Sequence, residues 1–206
     1  YGWKSVGRLH NCHNLLRRMM NLKGSFVNSS GDYSTAAAQI VMPHVMGTLE
    51  VYEQQTVWPV VVDNTELMVF WGADPVTTNQ IGWVIPDHGA FPGMQALKDK
   101  GTKVICIDPV KTKTTEFFDA EWIAPRPQTD VALMLGIAHT LYTENLHDAE
   151  FLANYTTGFD KFLPYLTGDT DGTPKSAEWA SAICDVPADT IKELARSFAK
   201  GRTMLA

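Results

Sequence analysis

Leu67-Met68-Val69-Phe70-Trp71-Gly72-Ala73-Asp74-Pro75 is five apolar residues in unbroken succession followed by a turn-forming run with one carboxylate. A strand with one wet face alternates apolar and polar residues, whereas a strand that is apolar throughout is covered on both faces, as in a parallel sheet. The Gly-Ala-Asp-Pro run then ends it. The same grammar recurs at Lys103-Val104-Ile105-Cys106-Ile107, stopped by Asp108-Pro109, and more briefly at Glu121-Trp122-Ile123-Ala124, stopped by Pro125-Arg126-Pro127. Between the first two, Met94 to Lys100 reads as a short helix closed by Gly101, with Lys98 and Lys100 in its last turn. Strands alternating with helices from Leu67 to Tyr142 predict βαβ units on a parallel sheet, an α/β fold.

Downstream of the third strand, Thr129 or Asp130 can cap a helix whose Val131, Met134, Leu135, Ala138, Leu141 and Tyr142 recur at helical spacing. Asp148 to Tyr155, Ser176 to Cys184 and Ala188 to Lys200 read as further helices, the last with Pro187 and Asp189 at its start and Gly201 at its end. The loop Thr167 to Pro174 is turn-rich but lacks the ligand pattern of a calcium loop. Upstream, a helix is expected around Asn14 to Asn21, a bend at Gly24 to Ser34 and a helix through Thr35 to Val41. The terminal Thr203-Met204-Leu205-Ala206 looks like the beginning of a strand, and the first residue is Tyr1. Both ends look cut, so the expectation is an internal piece of a longer chain. Residues 60–145 form the expected βαβ region and 146–206 a mainly helical continuation.

At 206 residues and 45% hydrophobic, the chain can build one large domain or two small ones around real cores. Seventeen Lys and Arg against 23 Asp and Glu leave a net charge of −6, which gives no drive toward non-specific binding of nucleic acid or anionic membrane. Apolar runs such as Val60 to Val62 fall far short of the roughly 20 residues that span a bilayer, so neither nucleic acid nor membrane insertion is expected. Cys12, Cys106 and Cys184 form no CxxC pair, so no zinc site is written in their spacing. His10 and His13 flank Cys12 without a third ligand nearby and read more simply as the polar start of a helix, with Asn11 and Asn14. His44, His88, His139 and His147 stand singly as packing or surface residues. A GxGxxG, a P-loop and a GxSxG elbow are all absent.

Ligands of open parallel sheets bind beyond the carboxyl ends of the strands, where loops and helix N-termini present backbone N–H groups. Three strand ends here carry polar corners: Gly72-Ala73-Asp74-Pro75, Ile107-Asp108-Pro109-Val110 and Pro127-Gln128-Thr129-Asp130. A small-residue turn lets backbone approach a pyrophosphate, and a carboxylate on the second strand accepts from ribose hydroxyls, so together they suggest a nucleotide site. The plainer alternative is that they only terminate strands.

Tyr1 to Asn11, Asn28 to Ser34, Met42 to Val51 and Pro125 to Asp130 resemble the dimethyl sulfoxide and trimethylamine N-oxide reductases, which are molybdopterin enzymes. The resemblance runs along essentially all of the chain, and Trp71 to Pro75 with Ile107-Asp108 lean toward the trimethylamine N-oxide side. It implies a fragment of a larger multi-domain enzyme, with its parallel βαβ sheet flanked by helices, that binds two molybdopterin guanine dinucleotides around one molybdenum. Tyr1, Gly2, Trp3 and Lys4 would line the cofactor's edge. Trp71, Gly72, Ala73, Asp74, Pro75 and Thr78, with Ile107, Asp108, Pro109 and Val110, would contact one dinucleotide. Gln128, Thr129 and Asp130 would hold its guanosine end. The family's molybdenum-binding serine falls immediately before the stretch that begins at Tyr1. No metal ligand or catalytic residue is therefore assigned, and the fragment alone is expected to be inactive. The implied reaction passes an oxygen atom from trimethylamine N-oxide or dimethyl sulfoxide to reduced molybdenum. A c-type cytochrome donor and a periplasmic location come with it. A biotin or methionine sulfoxide reductase, or a non-catalytic nucleotide-binding module, are the alternatives.

Overall fold

A computed structural model describes residues 11–28, 35–48, 56–79 and 88–206. Tyr1 to Lys4 and His10 lie outside the described residues, as do most of the Asn28 to Ser34 stretch and the last residues of Met42 to Val51. The described residues fall into two compact units that divide between Thr56 and Val57.

Among the described residues the first unit carries two helices. Helix α1 (Cys12–Leu22) is capped by Asn11, whose Oδ1 accepts from the Asn14 N–H at 3.2 Å. His13 therefore lies in a polar first turn, as the helix-start reading expects. Helix α2 (Ala36–Met46) runs beyond the expected Val41, through Pro43, and stops at the left-handed Gly47.

In the second unit, strands β1 (Leu67–Trp71), β2 (Lys103–Ile107), β3 (Glu121–Ile123) and β4 (Thr203–Leu205) form one sheet in the order β3-β2-β1-β4. All three pairings are parallel, with Val69 opposite Ile105 on one side and Leu205 on the other. The apolar run of β1 is covered on both faces. Leu67 and Val69 point into a core with Ile105, Ile107, Ile123 and the helices α7 (Asp130–Thr143), α10 (Ala177–Cys184) and α11 (Ala188–Lys200). Met68 and Phe70 point into a second core with Val104, Cys106, Val61 of α3 (Trp58–Asn64) and Leu97 of α5 (Ala90–Asp99). Side chains such as Val69, Ile105, Leu97 and Leu133 are essentially removed from water, each contributing about 1.5–3 kcal/mol.

The remaining elements are α4 (Pro75–Thr78), α6 (Lys113–Phe118), α8 (Ala149–Tyr155) and α9 (Phe159–Thr167). Asp148 and Ser176 cap α8 and α10 through their side chains. Helix α5 begins before the expected Met94 because Pro92 and Gly93 sit in its first turn, where a proline costs no hydrogen bond. Lys100 does not serve its own helix; its ammonium reaches the carbonyls of Val62, Asp63 and Thr65 at the end of α3. Beside the 167–174 loop the buried Lys175 ammonium meets both Asp171 carboxylate oxygens at 2.9 and 2.7 Å and faces the Tyr165 ring at 4.4 Å. No helix among the described residues is long and apolar enough to cross a membrane.

From β1 the chain moves outward to β2 and β3, then returns through α7 to α11 to place β4 on the other side of β1. The strand order thus reverses beside β1, and the carboxyl end of β1 is where such a sheet opens a crevice.

Candidate functional site

The corner after β1 starts with a reversal at Gly72, whose φ of +65° suits a residue without Cβ. Its N–H donates to the Ile107 carbonyl at 2.8 Å, and nothing stands within 4 Å of where a Cβ would project. The backbone here is open to a close approach. Asp74 turns inward: its Oδ1 accepts from the Thr114 N–H at 3.0 Å and the Thr114 hydroxyl at 2.6 Å, while Thr114 Oγ1 accepts from the Val76 N–H at 3.1 Å. Burial pushes this carboxyl up, but the hydrogen bonds from Thr114 and Thr77 and the Lys113 charge outweigh it and hold it below the usual carboxylate range. Asp74 therefore ties α4 to α6. Ala73 and Pro75 are half-buried, and the exposed Thr78 hydroxyl bonds back to the Asp74 carbonyl at 3.1 Å.

After β2, Asp108 is fixed through its backbone on both sides. Its N–H donates to the Ile123 carbonyl at 3.0 Å, and its own carbonyl accepts from the Trp122 indole at 2.8 Å. One carboxylate oxygen, Oδ1, accepts from the Val110 N–H at 2.8 Å, a local turn that aims the group outward beside the exposed Pro109 and Val110. Ile107 itself is buried and serves the core.

After β3 the chain turns at Gln128, which is exposed and has φ +66°. Neither candidate caps α7 with its side chain. The Thr129 hydroxyl donates to the Arg126 carbonyl at 2.6 Å, and Asp130 Oδ1 accepts from the Trp71 indole N–H at 2.9 Å. Asp130 remains in the first turn, where the helix dipole favours a negative charge.

The three corners thus share one rim of the sheet, linked by Gly72 to Ile107, Asp108 to Ile123 and Trp71 to Asp130. Asp108 and Asp130 each have a carboxylate oxygen without a bond to the chain described above, suited to N–H and O–H donors of a base and a sugar rather than to phosphate. The open backbone at Gly72 offers a place for the pyrophosphate. The residues present therefore have the chemistry of a nucleotide site. Sequence reasoning missed Thr114 and the pairing of the Arg126 guanidinium with the Asp185 carboxylate at 2.9 Å. The Thr112-Lys113-Thr114-Thr115 run after Asp108-Pro109 carried a signal for the first, since Thr112 caps α6 by accepting from the Thr115 N–H. Among the described residues no three His, Cys, Asp or Glu side chains gather as a metal site. A groove of about 310 Å³ beside His147, Leu152 and Phe159 includes none of the strand-end residues.

A family model described as molybdopterin oxidoreductase matches residues 1–191. The dimethyl sulfoxide/trimethylamine N-oxide reductase of Cereibacter sphaeroides is 74% identical over 206 residues, covering 100% of this chain and 25% of that protein. The trimethylamine-N-oxide reductase of Haemophilus influenzae is 52% identical over 205 residues with the same coverages. Among solved structures, acetylene hydratase from Pelobacter acetylenicus superposes with a TM-score of 0.56 at 26% identity, over 93% of this chain and 24% of its own. The chain spans about a quarter of the length of the curated relatives it matches.

Proposed function

The chain belongs to the molybdopterin oxidoreductase family, and on that footing we propose that it is the part of an N-oxide and S-oxide reductase that grips one molybdopterin guanine dinucleotide. The observation that carries this reading is the gathering of the Gly72, Asp108 and Gln128-Thr129-Asp130 corners on adjacent carboxyl ends of one parallel sheet. The similarity to reductases named for both dimethyl sulfoxide and trimethylamine N-oxide supports those two molecules as substrates. The likeness to a hydratase is a reminder that the fold alone does not choose the reaction.

The molybdenum centre, when bound, would supply the two electrons that reduce the substrate and would take up its oxygen. This chain's residues bind and orient. Gly72 leaves its backbone open to the pyrophosphate. Asp108 accepts from ribose hydroxyls through the oxygen that Val110 leaves unused. Asp130 accepts from the N–H groups of the guanine edge and the Gln128 amide donates to its carbonyl, with Thr129 shaping the turn between them. Trp71, Ala73, Asp74 and Pro75 hold the first corner in shape with Thr78 beside them, and Pro109 and Val110 flank Asp108 at the second. We extend the same proposal to Tyr1, Gly2, Trp3 and Lys4 at the cofactor's edge, to a c-type cytochrome as electron donor and to a periplasmic location.

The test is Asp108→Ala in the full-length protein that carries this chain. Removing a charged acceptor from a ligand donor weakens the contact by about 1.5–3 kcal/mol. Guanine nucleotide and molybdenum per polypeptide are both expected to fall. Unchanged contents would reduce Asp108 to a strand terminator. Side-by-side turnover of trimethylamine N-oxide and dimethyl sulfoxide checks the substrates.

A further inference from the structure

The corner after β3 is held by a residue 59 positions downstream. Asp185 follows the last residue of α10 in the left-handed region, at φ 62°, and its carboxylate takes both arms of the Arg126 guanidinium. Arg126 Nε–H donates to Oδ2 and Nη2–H to Oδ1, each at 2.9 Å. The Arg126 backbone N–H donates to the Cys184 carbonyl at 2.8 Å, so the same helix end is gripped twice. From there the Arg126 carbonyl accepts the Thr129 hydroxyl at 2.6 Å and the Thr129 N–H at 3.3 Å. Between them Gln128 is kept at φ +66°, an uphill conformation for a residue with a Cβ that persists only where its neighbours over-determine it.

Both partners of the ion pair are more than half exposed, 55% and 58%, and such pairs add little to global stability. A planar fork on a carboxylate does give directional control. What it directs is the Gln128-Thr129-Asp130 corner.

We propose that Asp185 is a positioning residue for the cofactor's guanosine end: through Arg126 it presets the 126–129 turn in the binding conformation before the ligand arrives. Presetting removes an ordering cost that the ligand would otherwise meet. The inference rests on the reading of this corner given under Proposed function.

The experiment uses the full-length, cofactor-loaded protein with Asp185→Asn, Arg126→Lys, the exchanged pair Arg126→Asp with Asp185→Arg, and Asp130→Ala as reference. Cofactor retained after gel filtration is followed over time as GMP liberated by acid, and the unfolding midpoint is measured on cofactor-free protein. Asp185→Asn and Arg126→Lys are expected to lose the cofactor about fivefold faster, the upper range for an exposed pair, with the midpoint unchanged and the exchanged pair restoring retention. Added salt should speed release from the parent protein and not from Asp185→Asn. Parent-like release from Asp185→Asn alongside faster release from Asp130→Ala overturns the positioning role and leaves the corner reading intact. Parent-like release from Asp130→Ala as well removes the corner reading itself. A midpoint that falls in step with release makes Asp185 a stability residue and also overturns the proposal.

Discussion

Trp71 and Asp130 are 59 residues apart in sequence, yet the indole N–H of one donates to the carboxylate of the other at 2.9 Å. The bond joins the end of β1 to the first turn of α7, and Trp71 also packs against the core beneath that helix. One residue therefore couples the sheet's apolar interior to its polar rim.

Trp71→Phe keeps a ring against the core and removes the donor. A hydrogen bond to a charged group is worth about 1.5–3 kcal/mol, so the variant should lose about 2 kcal/mol. Urea unfolding checks this: the midpoint should fall while the dependence on denaturant stays the same.

Gly136 lies where α7 meets α10, and a Cβ there would stand 2.7 Å from the Ala180 Cβ and 3.2 Å from Ile191. Neither neighbour can swing aside, since one is the backbone-bound methyl of the fully buried Ala180 and the other is also fully buried. Gly136→Ala should therefore cost about 1–3 kcal/mol despite alanine's better helix propensity. Thermal unfolding of the variant measures it, and a gain in stability would contradict this packing.

His139 of α7 has its proton affinity lowered by burial, against the opposing pull of Glu178. The folded protein thus binds fewer protons than the unfolded chain below the ordinary value of 6.5. Its contribution is whole above that pH and declines as the pH falls toward the depressed folded value. Unfolding free energy should drop between pH 7.5 and 5.5, and His139→Gln should flatten the slope. Glu178, pulled down to about 2 first of all by its hydrogen bond from Lys192, does not interfere, because its contribution fades only as the pH falls below 4.5 toward 2.

At the end of the 167–174 loop the Lys175 ammonium is bonded to Asp171 and to the Thr173 carbonyl at 2.5 Å. Calcium and chelators should leave the unfolding midpoint unchanged. Lys175→Met should make this loop a preferred site of limited proteolysis, which mass mapping of the fragments would locate.

The sheet was legible in the sequence because β1 and β2 are apolar without interruption and end in unmistakable turn residues, and even the terminal Thr203-Met204-Leu205 announced a strand. Helix α3 was not legible, because Trp-Pro-Val-Val-Val has the composition of a strand; in the fold its Val61 is buried with Leu97 of α5. Helix α9 was hidden by Pro164 in its interior. At the rim, the corner residues were readable as strand ends, but not their internal partners. Thr114, Arg126 and Asp185 act through side chains brought together across 40 and 59 residues, and no local spacing encodes such meetings.

With both faces of β1 apolar, greasiness alone would accept the strand shifted by one residue, each side chain then entering the opposite core. What forbids the shift is the polar stop: Trp71 must meet Asp130 and Asp74 must meet Thr114. The polar rim is thus also the notch that indexes the sheet. Substitutions chosen there to probe recognition will report on strand alignment too, and the two readouts have to be taken together.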